Sequence, residues 1–361
     1  MASNLRQMDI LRCVVRFVQT FRSLISCGSA PHKGVAFLVV LSLYGTGTAV
    51  AQKENERPKV HTDFRFGSFP QSNETAETFS TNDDILMLVV GLHEGWSIDK
   101  FIKETENDRV EILTITDELE EDRLIRGRSD YDMRPGMVVL REPDLALVNP
   151  TLIRHTVEFT RMIQSRWPDV EEFVGSLEAA SDMPRAEILY QIVVGGVLLG
   201  GMIDAFYDDK TLMPGPPRRK RRGSGFYAWL IEGDGGPEHI VRQSRQVGRH
   251  RVVSVGPVPS ENLRVRLDDV TGPVYGDQDA RRWRVFSSIF SRDHLLPFLK
   301  SKRSEFIELH ESIRASKYSA FAEFLAWYYQ SLVAGVTDNL VSSGLIKAPQ
   351  DSYTYAIRSS R

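Results

Sequence analysis

A chain of 361 residues with 42% hydrophobic and 26% charged side chains has the material for two or three domains and a sizeable core. That excludes a disordered or collagen-like chain. Its 45 Lys and Arg against 48 Asp and Glu give a net charge of −3, the wrong sign for general nucleic-acid affinity.

Residues 1–33 carry Arg6, Arg12, Arg16, Arg22 and Lys33 against the single acid Asp9. Gly34 to Gly45 is apolar, and Thr46 to Ala51 ends in the small-x-small pattern Ala49-x-Ala51. Basic, apolar, small: this is the order of a secretory signal peptide, with cleavage expected between Ala51 and Gln52. The apolar run is shorter than the ~20 residues of a membrane span. An uncleaved anchor over residues 34–51 is the alternative. Both cysteines, Cys13 and Cys27, precede the junction, so the expected mature chain has no disulfide, thiolate nucleophile or Cys metal site. Leu24 to Cys27 has the look of a lipoprotein box, but Arg16, Gln19 and Arg22 interrupt its apolar segment. Removing five Lys/Arg and one Asp leaves 40 basic and 47 acidic residues, a net charge of −7.

Gln52 to Phe79 is polar and without period, which predicts a flexible lead. Three helices then follow closely. The first, Asp83 to His93, carries Ile85, Leu86, Val89 and Leu92 on one face, and Thr81 with Asp84 fits a capping box. The second, Ile98 to Thr105, has Ser97 as N-cap. The third starts after Asp108 and runs to about Leu124, with Val110, Leu113, Ile115 and Leu119 as its apolar set. Leu124 to Arg126 and Met137 to Leu140 read as two strands around a polar loop, Gly127 to Gly136.

Helix, helix, helix, hairpin over Thr81 to Leu140 resembles the winged helix-turn-helix superfamily. In DNA-binding members the third helix enters the major groove while Lys and Arg hold phosphates. Here that helix carries Glu111, Asp117, Glu118, Glu120, Glu121 and Asp122 against Arg109 and Arg123. The loop adds Arg126, Arg128 and Arg134, but also Asp130 and Asp132. Carboxylates beside phosphates oppose binding. The resemblance therefore implies a fold used for protein contact or structure.

Pro143 to Pro150 reads as a linker. Thr151 caps a helix with Leu152, Phe159, Ile163 and Trp167 in one stripe, and Pro168 stops it. His155 lies near that stripe as a packed residue. A further helix is expected over Asp169 to Ala179. Ile188 to Ile203 is apolar except for Gln191 and holds Gly195, Gly196, Gly200 and Gly201. It reads as a core helix, with Gly196 and Gly200 letting another helix approach. Arg218, Arg219, Lys220, Arg221 and Arg222 form a basic run in a Pro- and Gly-rich loop. They are the candidate contacts for an anionic partner. Phe226 to Glu232, Arg251 to Val255 and Asn262 to Leu267 predict strands of a small antiparallel sheet. From Asp279 the chain is helical again, with a break at Pro297. Helices over Ser304 to Ser316 and Ser319 to Val341 lead to a terminal hairpin of Leu345 to Lys347 and Tyr353 to Ile357. That ending repeats the logic of the first unit.

His61, His93, His155, His239, His250, His294 and His310 are scattered without metal spacing. No phosphate loop, dinucleotide fingerprint or nucleophile elbow is present. No catalytic residue, metal or cofactor is expected. The expected fold is α+β and predominantly helical. Its parts are a signal over 1–51, a lead over 52–79, a winged-helix domain over 80–142 and a helical domain over 151–361 with a β insertion at about 223–275. The expected function is an exported, non-enzymatic protein that works by protein contact. Nucleic acid is not an expected partner, and membrane contact is expected only through an uncleaved N-terminal segment. The alternatives are a DNA-binding regulator whose signal is misread and a hydrolase with a dispersed site.

Overall fold

The computed structural model describes residues 64–70, 82–180, 183–219, 225–233, 240–257, 270 and 272–358. The signal segment, the Ala51–Gln52 junction, Thr81 and the strand expected over Asn262 to Leu267 lie outside them. The described protein is α+β and mostly helical.

Strand β1 (Phe64–Phe69) comes first. It falls inside the expected flexible lead, yet it pairs along its whole length with β5 (Tyr227–Glu232). Helices α1 (Asp83–His93), α2 (Ile98–Thr105) and α3 (Arg109–Glu121) follow. Each begins where a short polar side chain takes up the free N–H groups of a first turn. Asn82 Oδ1 accepts from the Asp84 and Ile85 N–H groups at 3.0 and 3.3 Å, so Asn82 caps α1 in place of the expected Thr81 box. Ser97 Oγ accepts from Lys100 N–H at 3.1 Å. Asp108 Oδ1 accepts from Val110 and Glu111 N–H at 2.8 and 3.1 Å. Val110, expected inward, is 73% exposed, because the buried stripe of α3 is Ile112, Ile115 and Leu119 on the opposite side.

The expected hairpin is rearranged. β2 (Ile125–Arg126) pairs with β3 (Arg134–Pro135), and β4 (Val138–Leu140) leaves to run parallel to β5. Gly136 permits this, since a Cβ there would meet Arg123 O at 2.3 Å. The three-stranded sheet, ordered β1–β5–β4, divides two cores. Tyr227, Trp229 and Ile231 face the helical body. Phe226, Ala228 and Leu230 face α1 to α3. Successive residues point to opposite faces, and because both faces are covered the strand reads as one apolar run.

Helix α4 (Glu142–Ser165) starts directly after β4, so the expected linker is its first two turns. Pro143 sits in the first turn, where no N–H is needed, but Pro150 lies inside the helix. An interior proline costs about 3 kcal/mol. Burial of Val148, Leu152 and Phe159 outweighs it at ~1.5–3 kcal/mol each. Helix α5 (Trp167–Gly175) takes Pro168 in its own first turn.

One helical run, Arg185–Asp209, then crosses the body. It comprises α6 (Arg185–Tyr190), a π-helix (Gln191–Gly201) and α7 (Met202–Asp209). By length and composition it can cross a membrane, and 78% of its apolar window is buried inside the protein. Helix α8 (Asp277–Phe290) lies against its glycines. A Cβ on Gly196 would meet Trp283 Nε1 at 2.3 Å, and one on Gly201 would meet the Ser287 carbonyl at 2.6 Å. The close helix approach thus falls on Gly196 and Gly201. Gly200 instead faces Gly195 O and the Arg242 guanidinium. Gly201→Ala is expected to destabilise the fold by about 1–3 kcal/mol, because backbone must move. Urea unfolding checks this, and an unchanged midpoint would show that α8 retreats freely.

A second π turn (Ser291–Leu295) joins α8 to α9 (Leu296–Ser301). The helix expected to break at Pro297 is continuous. The π turn falls immediately before the proline, where an ordinary ladder bond would be missing. β6 (Val241–Val247), β7 (His250–Gly256), β8 (Val274–Tyr275) and β9 (Tyr353–Arg358) form a second sheet ordered β6–β7–β9–β8. The expected insertion at 223–275 is therefore no separate sheet, since β5 belongs elsewhere and β9 comes from the C-terminal stretch. The expected terminal hairpin does not form: Lys347 N–H donates to Ala186 O and β9 pairs with β7. Helices α10 (Arg303–Ser312) and α11 (Phe321–Ser342) complete the body.

Candidate functional site

The basic run divides. Arg218 is exposed, and Lys220, Arg221 and Arg222 lie outside the described residues. Arg219 is 1% exposed, so it is no surface contact for an anion. Its Nη1 donates to Asp122 O and Arg123 O at 2.9 and 2.8 Å. Its Nε and Nη2 donate to Phe226 O at 3.2 and 2.9 Å. Nη2 also meets Glu323 Oε1 at 3.3 Å. The last carbonyls of α3 lack intrahelical donors, and a cation is favoured at a helix C-terminus. That is why Arg219 turns inward while Arg218 stays exposed. Glu323 in turn accepts from Ala228 N–H at 2.6 Å. Burial pushes its carboxyl up to about 7, against the pull of Arg219.

Two buried histidines head polar clusters. His155 Nδ1 lies 2.8 Å from the Tyr328 hydroxyl, and its Nε2 lies 3.1 Å from Glu305 Oε2. Carboxylate, imidazole and hydroxyl in a row is the pattern that activates a nucleophile. Both His155 and Tyr328 are fully buried, so a substrate has no access to the hydroxyl. The Arg154 hydrogen bond leads in holding Glu305 down to about 2. This cluster ties α4, α10 and α11 together. The second cluster joins α1 to the body. His93 Nδ1 bonds the Tyr318 hydroxyl, and Arg141 bridges Glu94 and Glu232 at 2.6 and 2.8 Å. Arg314 meets Glu94 at 2.7 Å. Of the remaining histidines, His250 and His294 are half-buried and His310 is buried, while His61 and His239 lie outside the described residues. Among the described residues no group of His, Cys, Asp or Glu gathers to hold a metal ion.

A cleft of about 350 Å³ stands open over the π-helix. Gly196, Gly200 and Gly201 form its floor with Trp283, Ser287 and Tyr355. The Trp283 and Tyr355 rings stack at 5.2 Å and 17°. Four arginines come from four elements: Arg242 on β6, Arg251 on β7, Arg284 on α8 and Arg358 on β9. The register explains the convergence. Gln246 pairs with Arg251 and Arg251 with Ile357. Residues two apart share a face, which puts Arg242, Arg251 and Tyr355 on the same one.

Among the described residues Asp204 of α7 is the one carboxylate lining the cleft. Partial burial raises its pKa, Arg242, Arg251 and Arg284 oppose the rise, and Asp208 adds to it. Arg358 meets Asp277 at 3.4 Å. Arg251 and Arg284 meet no carboxylate among the described residues. Arg242 Nε and Ser287 Oγ are buried without a hydrogen-bond partner there, a state that normally costs about 1–3 kcal/mol per group. π-helical segments are rare and frequently fall at functional sites. The glycine-dense segment was visible in the sequence as a packing feature. The arginines, spread from residue 242 to 358, carried no local signal.

Set against known proteins, the chain matches no family model, no curated protein and no solved structure.

Proposed function

We propose that this chain is a non-enzymatic binding protein in which residues 82–140 form a winged-helix domain used for protein contact. The fold reading is supported by element order: α1, α2 and α3, then β2 and β3 around a loop. The observation that carries the function is the charge of α3. Glu111, Asp117, Glu120 and Glu121 are all exposed along it. A carboxylate about 4 Å from a phosphate is repelled by ~1–4 kcal/mol at or near a protein surface, so this face opposes duplex DNA. Val110 and Tyr131, each 73% exposed, offer apolar contact of the kind that anchors protein interfaces. Ile98 N–H donates to Asp130 O at 3.2 Å and Arg109 Nη1 to Asp99 Oδ1 at 2.6 Å, so the loop and the start of α3 are both tied to the first turn of α2. The partner this face fits is a protein with a basic surface. Export rests on the basic, apolar, small-x-small order of residues 1–51.

The DNA-regulator alternative depends on the basic run, and Arg219 is enclosed against α3 and α11. Titration with random-sequence duplex DNA at low salt is expected to give no saturable binding. Lys at Glu111, Asp117, Glu120 and Glu121 together is expected to create binding that weakens steeply with salt. Steep salt-dependent binding by the unmodified chain would overturn the proposal in favour of the regulator.

A further inference from the structure

We infer that the cleft over the π-helix is a binding site for a phosphate group, free or as the monoester of a small molecule. It is separate from the acidic face of α3 and stands without that reading.

The charge balance is the first argument. Among the described residues four guanidinium groups line the cleft with one carboxylate; Arg358 is paired with Asp277 outside it, and Arg251 and Arg284 have no acidic partner. Clustered like charges repel one another. Among the described residues the positive charge exceeds what Asp204 and Asp277 neutralise, and an anion answers the excess. The second argument is the buried donors. Arg242 Nε and Ser287 Oγ are without partners, and Ser287 is 5% exposed. Both residues line the cleft.

Geometry selects the class. A carboxylate presents two oxygens in one plane and is matched by a single guanidinium fork. Donors here come from β6, β7, α8 and β9, so they approach from several directions. A tetrahedral oxyanion offers acceptors in all of them, and a phosphate dianion also answers the surplus of positive charge. Glycine completes the fit: at Gly200 a Cβ would stand 3.6 Å from the Arg242 guanidinium, occupying the space beside it.

Asp204 gives the site a signature. Its carboxylate sits in the field of Arg242, Arg251 and Arg284, so it competes with the incoming anion.

The test is calorimetric titration of the purified chain with inorganic phosphate, glycerol phosphate and succinate. Both phosphate probes are expected to bind saturably, with succinate at least about tenfold weaker. Tighter binding of glycerol phosphate assigns a phosphorylated small molecule, and tighter binding of inorganic phosphate assigns the free ion. Arg251→Ala with Arg284→Ala is expected to weaken phosphate by about tenfold or more. Both side chains are exposed, so thermal unfolding should be unchanged. Asp204→Asn is expected to tighten binding roughly fivefold, by removing a repelling charge. No saturable binding of either phosphate probe would overturn the inference. Binding indifferent to the double arginine variant, or weakened by Asp204→Asn, would do the same. Succinate binding as tightly as phosphate would overturn the ligand class.

Discussion

Replacing Arg219 with alanine is expected to destabilise the protein by about 3–5 kcal/mol, the usual consequence of breaking a buried ion pair from one side. The change strands more than Glu323. The carbonyls of Asp122, Arg123 and Phe226 all lose their donor, and the guanidinium's stacking on the Phe226 ring at 4.8 Å goes with them. Lysine is expected to be nearly as damaging, since a single ammonium cannot reach acceptors spread as a planar fork reaches them. The double variant Arg219→Met with Glu323→Leu is expected to recover only part of the loss: no buried charge remains, but the three carbonyls and the Ala228 N–H stay without partners. Guanidinium unfolding of the three variants makes the comparison. A loss below about 1 kcal/mol in Arg219→Ala would sink the clamp assignment.

Acid is expected to weaken the fold through His93. Burial leads in lowering its pKa to about 4, with Arg314 and Arg141 adding to the effect and Glu94 and Asp144 opposing it. The unfolded imidazole takes its proton near 6.5. Between these values the unfolded chain binds more protons than the folded one. The contribution of His93 is therefore complete above about pH 6.5 and is lost as pH falls towards 4. The full difference is on the order of 3 kcal/mol. His93→Gln keeps a polar group beside Tyr318 but cannot titrate. Stability measured from pH 7 down to 4 should fall less steeply in this variant. Parallel curves for the two proteins would show that another group carries the acid response.

The helix starts were legible because their causes are local. Ser97 and Asp108 cap within three residues of themselves, and such signals survive in any short window. The sheets were not legible in the same way. Phe64 pairs with Glu232 and Val255 with Tyr353, and no local period encodes a partner that far along the chain. Pro150 misled because a proline is read as a local breaker, while the burial that overrides it is tertiary. Arg219 sits among four other bases and reads as solvated. Its enclosure was decided by the unpaired carbonyls ending α3. The cleft was hidden for the same reason as the sheets. Arg242, Arg251, Arg284 and Arg358 each look like a surface arginine until the strand register brings them together.

The sheet shared by the two cores has a further consequence, in time. A nascent chain emerges N-terminus first. β1 and β4 therefore exist well before β5, the only strand either of them pairs with among the described residues. Until Tyr227–Glu232 arrives, both present open edges, the state most prone to pairing with a foreign strand. The core around α1 to α3 meanwhile lacks Phe226, Ala228 and Leu230. Such long-range closure is intrinsically slow. The first layer to be made cannot close until synthesis has passed residue 232, and a chain arrested before that point carries two unpaired edges and an uncovered apolar face.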